Sequence, residues 1–274
     1  MKHGLFFAAL VATLITAAPN ATMGASTLDL TDIWWNSSQS GMGYQIVQND
    51  DLLFVTFYVF GPDSKPLWYV AQLSHADNMT FSGDVYFGNG PFFGSATYDP
   101  STVTRTKVGT ASFTADDISK GTLNYSITQI VSGTTLTATN SVVITRFTLK
   151  SENFSGNYLG WYVVKRSGCS QTDLNGTISE APGITVTHEG SDIKLMITPF
   201  NPYGEACQFA GRYVQDGKMG RVSGNFACDG QYFGKFVFSE MEHRRNGFSL
   251  HVEAQDQHYG CTIHAAMSAM LPLL

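Results

Sequence analysis

Charge is scarce in this sequence. Only 14% of its 274 residues are Asp, Glu, Lys or Arg, against about a quarter in ordinary globular chains. What charge there is leans acidic, with a formal net of −6. That balance excludes a general nucleic-acid surface or an anionic-membrane surface, both of which need clustered Lys and Arg. No apolar run after residue 25 reaches the ~20 residues of a helical membrane span. Catalytic signatures are missing too: there is no Gly-x-Ser-x-Gly and no P-loop, and His188-Glu189 lacks the second His of a zinc-protease helix. Neither a cofactor nor a metal is expected, and enzyme activity is not the preferred reading. Cysteine does not occur before Cys169.

The low charge is made up by Gly (27), Ser, Thr and aromatics (13%). This is a composition of short strands and tight turns, and 43% hydrophobic residues suffice for a buried core. The first residues do not belong to it. Met1-Lys2-His3 is a short basic start, Leu5 to Ala18 is apolar, and Thr22-Met23-Gly24-Ala25 offers small residues for cleavage. Residues 1–25 therefore read as a secretory signal peptide, which places the protein outside the cell or in a bacterial periplasm. Lys2 is the one charge there, so 15 basic and 22 acidic residues remain after it, a net of −7.

The four cysteines, Cys169, Cys207, Cys228 and Cys261, form an even set in an exported chain, which favours two disulfides. Three pairings are possible. Cys207 and Cys228 are equidistant from an apparent hairpin turn at Gly217-Lys218, so they would face each other. The pairing expected is Cys207–Cys228 with Cys169–Cys261, the second tying the start of this half to its end.

Period-2 patterns dominate after residue 30. In Leu52 to Phe60, Leu53, Val55, Phe57 and Val59 take one face and Leu52, Phe54, Tyr58 and Phe60 the other. A strand apolar on both faces is expected to be buried on both, one filling a barrel lumen and the other covered by a neighbour. Gly61-Pro62-Asp63-Ser64 is a turn that returns the chain through Leu67 to Leu73. About eight strands fit between Ile33 and Leu149, with one helical turn near Ala115 to Lys120. About nine more follow from Tyr158. The spacing predicts an all-β fold of two tandem up-and-down antiparallel barrels. Residues 26–150 would form the N-terminal barrel and residues 151–274 the C-terminal, disulfide-bonded one.

The stretch Trp34-Trp35-Asn36, Ser40-Gly41-Met42-Gly43, Leu53-Phe54-Val55-Thr56-Phe57-Tyr58 and Pro66-Leu67-Trp68-Tyr69 resembles a module of unknown function in exported proteobacterial proteins. Val108-Gly109-Thr110-Ala111, Gly121 to Tyr125 and Ile144-Thr145-Arg146 extend the likeness to about Phe147. That module also occurs beside hydrolase domains, which implies an accessory or binding role. A looser likeness is to calycins, the lipocalin and avidin type of barrel, where an early Trp packs on an Arg of the last strand. Trp34 or Trp35 with Arg146 would play those parts, although the usual Gly two residues before the Trp is Asp32 or Ile33 here.

Aromatics carry the functional expectation. Their faces stack on sugar rings and line apolar pockets, while most aromatics in a barrel are simply core. Trp35, Tyr44, Tyr58 and Trp68 are the candidates to point into a lumen. Phe92-Phe93, beside Gly90-Pro91, is the candidate loop contact. His258-x-x-Cys261-x-x-His264 has metal-like spacing, but on a strand Cys261 points away from both histidines and is claimed by a disulfide. Glu240 and Glu242 would share a face, yet the Arg244-Arg245-Asn246-Gly247 that follows reads as a solvated hairpin end. The function expected is a non-enzymatic binding module for a small apolar molecule or a glycan held by the first barrel. The alternative is a protein–protein module, part of an adhesin or an enzyme inhibitor, that meets an envelope or extracellular protein. A contiguous exposed aromatic patch would favour the alternative.

Overall fold

The computed structural model describes residues 28–131, 133–200, 206–229 and 232–272. The segment 1–25, expected from the sequence to be a signal peptide, lies outside them. The first half comprises β1 (Asp32–Trp35), β2 (Gly43–Asn49), β3 (Leu52–Phe60), β4 (Pro66–Asp77), β5 (Thr80–Asn89), β6 (Thr104–Ala115), β7 (Lys120–Val131) and β8 (Thr134–Arg146). Each pairs antiparallel with its neighbour in sequence, and β1 pairs with β8 through Trp34↔Arg146 and Trp35↔Thr145, closing an eight-stranded barrel. The segment 116–119 is a run of bends between β6 and β7, not the helical turn expected there. Asp117 accepts from the amides of Ser119 and Lys120, a side-chain turn that competes with helix.

Strand alternation fills the barrel. Leu53, Val55 and Phe57 point inward, at 1% exposure or less, and meet Trp34, Leu73, Phe81, Phe113, Leu123 and Ile144, all fully buried. Trp34 and Phe113 make an edge-on contact at 5.3 Å, and Tyr44 and Phe57 another. The lumen of the first barrel is thus packed with aromatic and aliphatic side chains.

The second half corrects the expectation of two barrels. It contains β9 (Gly156–Ser167), β10 (Gly176–Glu180), β11 (Pro182–Glu189), β12 (Asp192–Pro199), β13 (Cys207–Asp216), β14 (Met219–Cys228), β15 (Tyr232–Arg244), β16 (Gly247–Asp256) and β17 (Thr262–Met270). These form one nine-stranded sheet in the order β10-β9-β11-β12-β13-β14-β15-β16-β17, with β17 also paired to β9. Among the described residues the closed up-and-down barrel is that of the first half, whereas the second sheet comes back on itself through β9–β17 with β10 as an extra strand beside β9. The difference arises at Pro182, which has no amide hydrogen to give a ladder. The strand beside β9 is interrupted there: β10 takes residues 162–166 of β9 and β11 takes residues 156–159. The sheet still curls around one core that includes Phe154, Tyr158, Phe226, Phe236, Phe238 and Phe248. Cys207–Cys228 and Cys169–Cys261 are bonded as expected, the first across the hairpin register Cys207↔Cys228 with Asp216↔Met219.

The halves meet at the entry end of the first barrel. The β13–β14 turn rests there, with Gly217 at φ +65°. A side chain at Gly217 would lie 2.4 Å from an Asp32 carboxylate oxygen and 2.7 Å from Arg146 Cβ. The Lys218 amide donates to Asp32 (2.9 Å) and its ammonium to Asp29 (2.6 Å). The Gly217 amide donates to Thr148 (3.1 Å).

Candidate functional site

The Trp-Trp-Asn opening divides its work among three surroundings. Trp34 enters the core, donates its indole N–H to the Leu30 carbonyl (3.0 Å) and lies under the Arg146 guanidinium at 4.9 Å. Of the two tryptophans, it is Trp34 that packs on Arg146. Trp35 faces outward, half-buried, edge-on to Phe147 at 5.0 Å. Asn36 caps a single 3-10 turn by accepting from the Ser38 amide (2.8 Å) and donates to the Val143 carbonyl (3.0 Å). That turn delivers the chain to Gly41, whose φ of +94° suits glycine. The Phe60 ring lies 3.4 Å from where a Gly41 side chain would begin.

The candidate contact residues separate cleanly. Tyr44 is core, 3% exposed. Burial, and then the neighbouring Tyr125 hydroxyl, push its phenol above the ordinary range. Tyr58 and Trp68 lie on the outside, each 51% exposed, and are direct cross-strand partners. Gly43 pairs with Tyr58 on the other side, and Trp34↔Tyr44 sets Trp35 at the level of Gly43. Trp35, Gly43, Tyr58 and Trp68 thus form one outward row across β1–β4, with the Trp68 ring edge 4.0 Å from where a Gly88 side chain would begin. Phe92 and Phe93 sit in the loop after β5, in ring contact at 4.9 Å. This loop emerges at the same rim, because β3 ends and β4 begins there. The rim is opposite the end that meets the second half.

Two sequence expectations fail here. The four candidates do not line a lumen, because only Tyr44 points inward. The outer face of β3 is also not covered by a neighbour: Phe54, Tyr58 and Phe60 are 39%, 51% and 52% exposed. Phe60 was not a candidate although it shares the Tyr58 face, two residues on; extending the same alternation would have found it. Polar groups edge the patch. Tyr58 donates to Gln45 (3.3 Å), Arg105 lies 3.9 Å over the Tyr86 ring, and Lys107 pairs with Asp84 at 2.6 Å.

The remaining chemical candidates have other partners. Glu242 contacts Arg244 (2.6 Å) and Lys218 (3.4 Å), and Glu240 faces His251 (3.7 Å). A bulge between Ser239 and Glu242 divides the two carboxylates. His258 and His264 are exposed, and Cys261 is in its disulfide. Among the described residues, no group of three or more His, Cys, Asp or Glu could hold a metal ion. No helix among them is long and apolar enough to cross a membrane.

His188 is the buried histidine of the second half, 4% exposed. Its Nδ1 accepts from the Phe154 amide (3.3 Å), and its ring stacks on Phe154 and meets Tyr213 edge-on. Burial holds its pKa below the usual 6.5, against an opposing backbone contact at Gly190. The folded state therefore binds this proton less readily than the unfolded chain. The resulting stability is fully present above pH ~6.5 and is lost as pH falls through the lower folded value. We expect the urea midpoint to drop between pH 7.5 and 5.5, and His188→Gln to flatten that drop. Parallel pH profiles for the two proteins would show that other groups set it.

No protein-family model matches the chain, and no curated protein matches it. The functional reading therefore rests on geometry: a closed β-barrel, a fold compatible in general with ligand binding, that carries its accessible aromatics outside.

Proposed function

We propose that the protein is an exported binding module that engages a partner protein through the outer aromatic face of its first barrel. The observation that carries this is the exposure of Tyr58, Phe60 and Trp68 on adjoining strands, with Phe92 and Phe93 (68% and 91% exposed) at the same rim. Contiguous apolar surface rimmed by polar groups marks interaction sites. Trp, Tyr and Arg dominate the energetics of such contacts. A filled lumen removes the reason to place a ligand inside this barrel. Two disulfides support export, in agreement with the signal pattern of residues 1–25, and an envelope or extracellular protein is then the partner class. A glycan is the second reading. The directly opposed Tyr58 and Trp68, with the Gln45 amide at their edge, would serve a sugar ring as stacking surface and hydrogen-bonding group.

Trp68→Ala tests both. The side chain is half-exposed, so thermal stability should stay within about 0.5 kcal/mol of wild type. Capture of a partner from envelope extract or culture fluid should weaken about thirtyfold, the ~2 kcal/mol of a hot-spot aromatic. Equal capture by the variant and by Tyr58→Ala would sink the proposal. Loss of binding to a panel of oligosaccharides, with no protein captured, would move it to the glycan.

A further inference from the structure

The curled sheet of the second half does not fill its own interior. At the end near the first barrel, Phe154, Tyr158, Tyr213 and Phe248 pack ring against ring. Toward the other end alanines and valines take several of the inward positions of one wall. One wall carries Val164↔Ala265↔Val252 and then Arg166↔Ile263↔Ala254 across β9, β17 and β16. The opposite wall carries Ile197↔Cys207↔Cys228 and Leu195↔Phe209↔Phe226. Between the walls lies a cavity of about 90 Å³. Its far end is pinned: Asp256 accepts from the amides of Phe233, His258 and Tyr259, the Ser170 amide donates to the Tyr259 carbonyl (2.7 Å), and Cys169–Cys261 ties these segments together.

We propose that this cavity is a binding site for a small, uncharged, apolar molecule, on the scale of a single ring or a short hydrocarbon. A water needs two to four polar partners to settle in a cavity, and apart from the Arg166 side chain and the Tyr162 hydroxyl these walls are aliphatic, aromatic and disulfide. The Tyr162 hydroxyl at the wall is already committed to Glu180 (2.6 Å). Glu180 and Arg166 bring one charge of each sign to this side, so the wall selects neither anion nor cation. An unfilled apolar space forfeits dispersion contacts that a fitting guest restores, and an apolar cavity of about 150 Å³ stays dry and takes up benzene or xenon. Backbone ladders and two disulfides hold the walls, so a guest meets a preformed site. The site is independent of the aromatic face on the first barrel.

Thermal unfolding of the full chain with benzene, and with benzoate as its charged counterpart, tests the proposal. Benzene should raise Tm saturably, by about 5 °C at a hundredfold over its Kd, and benzoate should not. Ala265→Leu fills the space and should abolish the rise. Val252→Ile trims it and should shrink the rise, and this variant decides the matter should Ala265→Leu not fold. Trp68→Ala should keep the full rise, which separates this site from the outer face. No saturable rise in wild type, a rise undiminished in Val252→Ile, or an equal response to benzoate would each overturn the proposal.

Discussion

Replacing Arg146 by Met is expected to destabilise the first barrel by about 3–5 kcal/mol, the cost of removing one partner from a buried ion pair. Arg146 ends the last barrel strand with its side chain fully buried, 3.0 Å from a largely buried Asp32 carboxylate. Its guanidinium donates to three main-chain carbonyls as well, those of Asp29, Thr31 and Ile118. It thus bridges the chain before β1, the β6–β7 turn and β8, and it covers the Trp34 ring. Methionine keeps much of the volume and the contact with Trp34, but it strands the carbonyls and leaves the Asp32 carboxylate without its counter-charge, held by the Lys218 and Ile33 amides alone. Adding Asp32→Asn to Arg146→Met should recover part of the loss, because an amide is cheaper to leave in that position than a carboxylate. Urea unfolding followed by tryptophan fluorescence measures both. A loss under 1 kcal/mol for Arg146→Met, or a double variant no better than the single one, would show that the ion pair does not hold the barrel shut.

Much of this arrangement was legible because strand alternation is a local signal. Leu53, Val55 and Phe57 declared the inner face of β3, and the equal spacing of Cys207 and Cys228 about Gly217 fixed a hairpin register. What alternation cannot state is what lies beyond each face. Leu52, Phe54, Tyr58 and Phe60 look the same whether another element covers them or solvent does, and here no element of the described chain does. The assignment of Tyr58 and Trp68 to a lumen failed for the same reason: period 2 separates faces without naming them. Tyr44 and Trp35 were likewise told apart only by the register Trp34↔Tyr44. In the second half, Pro182 was visible in the sequence, but its effect depended on which strand lay beside it. The cavity was the least legible feature. Val164, Val252, Ala254 and Ala265 are unremarkable singly, and they become one wall only when three separate strands come into register.

The Cys169–Cys261 bond should be worth more than the Cys207–Cys228 bond, although the latter joins directly paired strands. The larger part of a disulfide's effect is entropy removed from the unfolded chain, which grows with the loop it closes. Cys169 and Cys261 are 92 residues apart and Cys207 and Cys228 are 21 apart. The chain-entropy relation assigns them about 4.6 and about 3.3 kcal/mol. Native contacts act in the same direction. Cys261 is fully buried and Cys169 nearly so; the Cys169 amide donates to Asn175 (3.1 Å), and the bond anchors the segments that close the far end of the second core. Paired Cys→Ser variants, unfolded in urea, should therefore lose more stability at Cys169 and Cys261 than at Cys207 and Cys228. The reverse order would place the weight on the native wall that Cys207 and Cys228 form beside Ile197 and Phe226. In that case the pair with the shorter loop would also be the one whose removal changes the benzene response.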